Sequence, residues 1–131
     1  MGGEAAGEVA AQLTVEALAG PGGLARAFRE ANRQVVARSE ADARCAGMGA
    51  VGTAAQFSAE GLRWVHAGDT RAFLVDERGC TQLTTEHVDA SGAVACDLGT
   101  RYRPDERWFD EGDAELSVGD LLVLCSDGLT D

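Results

Sequence analysis

The chain has 131 residues, 45% apolar and 25% charged, with a formal net charge of −11. That length supports one domain with a real core and not two. An acidic chain without a basic face disfavours nucleic acid as a partner, and no run nears the eighteen apolar residues of a membrane span.

From Ala5 to Ala19, Ala6, Val9, Leu13 and Ala17 recur at helical spacing with Glu8, Gln12 and Glu16 opposite, predicting a first amphipathic helix. Gly20-Pro21-Gly22-Gly23 stops it. Leu24, Phe28, Ala31 and Val35 then form a second helical stripe. Beyond it the character changes: Met48 to Phe57 is small, apolar and β-compatible, and Ser58-Ala59-Glu60-Gly61 reads as a hairpin turn. Leu62 to Ala67, Ala72 to Asp76 and Cys80 to Leu83 read as strands, the last two joined by Glu77-Arg78-Gly79. Thr85 to Asp120 is polar and irregular, and its acidic run from Asp105 to Asp120 reads as a solvated loop. Leu121 to Cys125 reads as a final strand buried on both faces. Helices followed by a meander of strands is an α+β order with antiparallel pairing, the helix pair covering one sheet face.

Cys45, Cys80, Cys96 and Cys125 form no Cys-x-x-Cys pair and have no histidine at zinc-site spacing. Cys80 and Cys125 are expected to be small buried hydrophobes in a reducing compartment. Without a signal-like N-terminus the expected location is cytoplasmic.

Two motif matches fail on context. Gly47-Met48-Gly49-Ala50-Val51-Gly52 fits G-x-G-x-x-G, but a charged helix-like stretch precedes it and too little chain follows for a crossover helix. The acidic run from Asp105 to Asp120 lacks the EF-hand pattern, since the third and fifth positions after Asp110 would be Gly112 and Ala114. His66, inside a strand, is expected to be packed and hydrogen-bonded, not catalytic. His87 follows Leu83-Thr84-Thr85-Glu86 and could face a cleft, with no partner evident. The aspartates carry more information. Two strand-like segments end in aspartate, at Gly68-Asp69 and Cys125-Ser126-Asp127, and Asp131 follows four residues later. A strand-end carboxylate is costly unless a charge meets it. Asp69, Asp127 and Asp131 are therefore candidate oxygen ligands for a hard divalent cation.

Those residues sit within a longer pattern. Met1-Gly2-Gly3 with Ala6-Gly7-Glu8-Val9-Ala10, Gly47-Met48-Gly49 with Thr53, Val65-His66-Ala67-Gly68-Asp69-Thr70-Arg71-Ala72-Phe73, Gln82-Leu83-Thr84, Leu116-Ser117-Val118-Gly119-Asp120 and Leu124-Cys125-Ser126-Asp127-Gly128-Leu129-Thr130-Asp131 occur in that order. Together they resemble the metal-dependent Ser/Thr protein phosphatases of type 2C, the PPM family. The resemblance implies an αββα four-layer sandwich of two antiparallel sheets flanked by helices. It implies a Mn²⁺ or Mg²⁺ cluster of two or three ions in the complete domain, and a phosphorylated protein as substrate. Asp127 corresponds to an aspartate of the two-metal centre. Asp69 and Asp131 correspond to aspartates that hold, with Asp127, a more labile additional ion. Arg71 corresponds to the family arginine after the Gly-Asp pair, expected to orient neighbouring carboxylates, with direct phosphate contact as the alternative. Hydrolysis of phosphoserine or phosphothreonine by a metal-activated water needs no Cys or His nucleophile, and none is evident.

The chain departs from the family pattern as well. The Asp-Gly that precedes Met-Gly-Gly in the family, and supplies the metal-bridging aspartate, is not among these residues, nor is the C-terminal Asp-Asn ligand segment. The stretch from His87 to Asp97 is short where the family carries its flap. The expectation is therefore a single partial PPM-type domain over residues 1–131, inactive by itself. The alternative is a phosphatase-like module that binds a phosphoprotein or regulator without hydrolysing it.

Overall fold

The computed structural model describes residues 6–130. The elements in chain order are helix α1 (Gly7–Leu18), helix α2 (Leu24–Ala41), strands β1 (Gly52–Ser58), β2 (Gly61–Ala67), β3 (Arg71–Asp76), β4 (Gly79–Gln82), β5 (Asp110–Ala114) and β6 (Leu121–Cys125). Single 3-10 turns lie at Ala43–Cys45 and Asp127–Leu129. The six strands make two antiparallel three-stranded sheets, ordered β1-β2-β5 and β4-β3-β6. This is the α+β arrangement expected from the order of patterns. Among the described residues no helix is long and apolar enough to cross a membrane.

Helix α2 follows its stripe closely: Ala27, Phe28, Ala31 and Val35 are buried, and the helix lies on β1 and β2. In α1 the covered face is turned slightly from the expected one, with Ala10 and Thr14 buried. The Thr14 hydroxyl donates to the Ala10 carbonyl at 2.8 Å, so this buried polar group is satisfied within its own helix.

Three expectations need correction. The stretch from Thr85 to Asp120 is not simply irregular, nor is its acidic run from Asp105 simply a solvated loop. It supplies β5 and three core anchors: Leu98, Trp108 and Phe109. Leu98 and Ala50 exchange both backbone hydrogen bonds, at 2.8 and 2.7 Å. Trp108 stacks parallel to Phe28 with centroids 5.9 Å apart, and to Tyr102 at 4.9 Å. Strand β5 (Asp-Glu-Gly-Asp-Ala) has poor intrinsic β preference but completes the free edge of β2, where backbone pairing and packing override propensity. Gly112 is required there. The ring of Trp64, its cross-strand partner, lies over it, and a Cβ on Gly112 would meet Trp64 Cζ2 at 2.5 Å.

The second correction concerns β6. It is apolar, yet it is an edge strand with Leu121 and Leu124 exposed, not a strand buried on both faces. A continuous apolar run reports hydrophobicity; coverage depends on what lies above each face. The third concerns the cysteines. Cys80 is exposed, because β4 is exposed along its whole length, and Cys125 is half-buried at the end of β6. Cys45 is the buried one, and all four are free thiols.

Candidate functional site

The β2–β3 connection is the turn Gly68-Asp69-Thr70, which carries the chain from one sheet to the other. Gly68 adopts φ +106, and a Cβ there would fall 2.3 Å from Val51 Cγ1, so conformation and close approach both demand glycine. Asp69 is half-buried. Strands β3 and β6 pair in a register that ends at Arg71↔Cys125. Asp69 and Asp127 each lie two residues beyond that last pair, at the same end of the ladder. Asp127 is exposed and opens the 3-10 turn Asp127–Leu129. Asp131 lies outside the described residues. The sequence pattern thus places two of its three candidate ligands at one ladder end. Among the described residues no group of three His, Cys, Asp or Glu side chains is arranged to hold a metal ion. The chemistry of the donors fits a hard cation; two placed carboxylates do not make a complete coordination shell.

Arg71 crosses this end. Its Nε donates to Glu86 Oε1 at 2.5 Å, and its guanidinium also hydrogen-bonds the Thr130 hydroxyl. The hydrogen bond from Arg71 holds the Glu86 carboxyl below its usual range. Arg71 therefore does orient a carboxylate, though it is Glu86.

Glu86 belongs to a strap, residues 83–87, bonded to both sides of Asp69. The Leu83 N–H donates to the Ala72 carbonyl at 2.8 Å, and the Ala72 N–H donates to Thr84 Oγ1 at 3.1 Å. The Thr85 carbonyl accepts from His66 Nε2 at 3.1 Å. The His87 N–H donates to the Gly68 carbonyl at 2.7 Å, and the Gly68 N–H donates in return to His87 Nδ1 over a longer 3.4 Å.

Two histidines line the strap. His66 is fully buried and hydrogen-bonded, as expected from its strand position. Burial holds its imidazole below the usual range, and the neighbouring His87 ring, centroid 4.8 Å away, adds to this. His87 does have a partner: its Nε2 lies 2.9 Å from Asp110 Oδ2 on β5. Sequence reasoning missed the roles of Glu86 and Asp110. The available signal was the Glu86-His87 pair directly after the Leu-Thr-Thr strand end; nothing local marks Asp110 as its partner, because that contact spans 23 residues.

The G-x-G-x-x-G match is followed by strand β1, not by a crossover helix, so it has no dinucleotide-binding context.

Comparison with known proteins bears on this geometry. No protein-family model matches the chain. Serine/threonine protein phosphatase PstP of Mycobacterium tuberculosis is 35% identical over 159 residues, covering 100% of this chain and 30% of that protein. Serine/threonine phosphatase stp of Listeria monocytogenes serotype 4b is 26% identical, covering 99% of this chain and 64% of that protein. The crystal structure of the mycobacterial PstP/Ppp superposes with a TM-score of 0.81 at 32% identity, covering 100% of this chain and 66% of that one. The PstP catalytic domain in complex with two manganese ions gives 0.76 at 33% identity, with 99% and 65% covered. The chain therefore spans less than two thirds of the length of these curated relatives. It is homologous, over its whole length, to the metal-dependent PPM-type Ser/Thr protein phosphatases.

Proposed function

We propose that this chain is part of a single catalytic domain that hydrolyses phosphoserine or phosphothreonine in proteins with Mn²⁺ or Mg²⁺. In that domain its helices and sheets contribute to an αββα four-layer sandwich. The observation that carries the reading is the position of Asp69 and Asp127, each two residues past the Arg71↔Cys125 pair at one end of the β3–β6 ladder. The chain's relative PstP is known with two manganese ions, and its likeness extends through both aspartate segments.

Asp69, Asp127 and Asp131 are the proposed metal-holding residues, two or three ions being held in the complete domain. Carboxylate oxygens at a ladder end suit a hard octahedral cation that keeps several waters. Bound there, such ions supply the Lewis acidity that lowers the pKa of a water and offsets phosphate charge. The chain's own part is to fix the carboxylates. Gly68 allows the turn that presents Asp69, the 3-10 turn presents Asp127, and Arg71 joins the strap to Thr130.

Asp127→Ala in the full-length protein is expected to abolish Mn²⁺-stimulated hydrolysis of a phosphopeptide without changing the melting temperature by more than a few degrees. Full activity in that variant sinks the assignment. Within the 131 residues only Asp127 is proposed for the two-metal centre itself, and one ligand aspartate cannot assemble that centre. The isolated chain is therefore expected to release little or no phosphate, and robust Mn²⁺-dependent release by it would overturn the donor count.

A further inference from the structure

Thr53, His66 and Asp110 form a row across the first sheet, since Thr53 pairs with His66 and His66 with Asp110. His87, from the strap, lies beside that row. The directions of its hydrogen bonds follow from the groups that have no choice. The Thr85 carbonyl only accepts, so His66 must carry its proton on Nε2. Its Nδ1 is then an acceptor, and the Thr53 hydroxyl, 2.9 Å away, donates to it. Thr53 Oγ1 has spent its proton and accepts from Thr70, 2.8 Å away. The residue directly after Asp69 is thereby fixed as a donor at the end of a one-way chain.

The same logic applies to His87. The Gly68 N–H can only donate, so His87 Nδ1 must be unprotonated. The proton is on Nε2, where the Asp110 carboxylate receives it at 2.9 Å. The His87 N–H is bound to the Gly68 carbonyl, and its own carbonyl accepts from the Ala95 N–H at 2.8 Å. His87 thus grips both polar groups of the Gly68 backbone and is itself held at all four of its hydrogen-bonding positions.

We infer that His87 is a positioning residue for Asp69: in its Nε2–H form, aimed by Asp110, it locks the Gly68 peptide and so sets the direction in which the Asp69 carboxylate leaves the turn. This deepens the proposed function and rests on it, because the orientation matters only if Asp69 holds a cation. An orienting partner behind a ligand commonly changes metal affinity about 10- to 100-fold. The grip also explains why Gly68 and His87 are bound twice, where one backbone hydrogen bond would close the strap.

The test uses the full-length protein and three measurements. Two-bond ¹H–¹⁵N correlation spectra near neutral pH are expected to show His87 protonated on Nε2 and bare on Nδ1; an Nδ1–H form overturns the inference. His87→Ala is expected to raise the Mn²⁺ concentration for half-maximal phosphopeptide hydrolysis by roughly tenfold or more, with most of the turnover regained at saturating Mn²⁺. His87→Asn, whose Oδ1 can stand where Nδ1 stood, is expected to recover part of that loss. A lowered melting temperature with unchanged Mn²⁺ half-saturation would make His87 structural only and overturn the inference. Should His87→Ala fail to fold, Asp110→Asn keeps Nδ1 in place while weakening its aim, and is expected to shift half-saturation in the same direction by less; no shift counts against the inference. A wild-type protein with no Mn²⁺ dependence would instead remove the proposed function, and the tautomer would still test the grip on Gly68.

Discussion

Sheet β1-β2-β5 buries Leu62, Val65 and Ala67 to 1% exposure or less, whereas sheet β4-β3-β6 leaves Leu121 57% and Leu124 46% exposed. Strand composition does not explain the contrast. The first sheet includes the acidic β5, and the second includes β6, the most apolar strand of the chain. The difference is cover. Helix α2 lies on the first sheet, and Phe28, Trp108 and Phe109 fill the space between as offset and edge-on rings. Among the described residues, β3 has buried Ala72 and Leu74, while its neighbours β4 and β6 remain largely open. Burial is thus set by layer, and the ladder end that carries Asp69 and Asp127 lies where the covered and open sheets meet.

If cover decides stability, the largest loss should come from the first sheet's roof. Phe28→Ala removes a fully buried ring in contact with two aromatic neighbours, and is expected to cost about 3–5 kcal/mol in denaturant unfolding. A loss below roughly 1 kcal/mol would mean that α2 does not hold the sheet. Gly112→Ala tests the other face of β5. The added methyl would press on the Trp64 ring, an overpacking worth about 1–3 kcal/mol unless the indole can swing away.

A smaller effect depends on pH. His66 is buried and neutral in the folded chain, with a lower pKa than the usual 6.5 it regains on unfolding. Above 6.5 both states leave it neutral, and its contribution is fully present. As pH falls below 6.5 the unfolded state takes up the proton first, so stability declines until the folded value is also passed. The groups facing it are His87 on the strap and Asp110 on β5. Melting temperature is expected to drop between pH 6.5 and 5, and a His66→Gln variant should lose that part of the slope.

The sequence made much of this legible, for identifiable reasons. Phe28, Ala31 and Val35 sit at helical spacing and are buried; Leu62 to Ala67 and Ala72 to Asp76, the latter one residue short of β3, punctuate themselves with glycine turns. Local pattern could not reveal β5, whose Asp-Glu-Gly-Asp-Ala becomes a strand only because β2 offers an unpaired edge. Nor could it reveal that Trp108 and Phe109, set in an acidic stretch, reach Phe28 some eighty residues earlier. For the candidate site, the two Asp-bearing motifs announced Asp69 and Asp127, but the strap that braces Asp69 rests on contacts such as His87–Asp110 that exist only after both sheets form. Strand-end carboxylates are visible in a sequence; the groups that aim them come from elsewhere in the chain.

The smallest expected effect is the most pointed check on the contrast between sheets. Leu124 belongs to an apolar run that reads as core, yet its side chain stands 46% exposed on an edge strand. Leu124→Ser should therefore change the unfolding free energy of the 131-residue chain by only roughly 0.5 kcal/mol, the range of surface substitutions. An open apolar edge is also a template for pairing with another chain. The same substitution should lower concentration-dependent association in sedimentation velocity, with stability nearly constant. A large destabilisation with unchanged association would place Leu124 under cover, and the second sheet would then be roofed like the first.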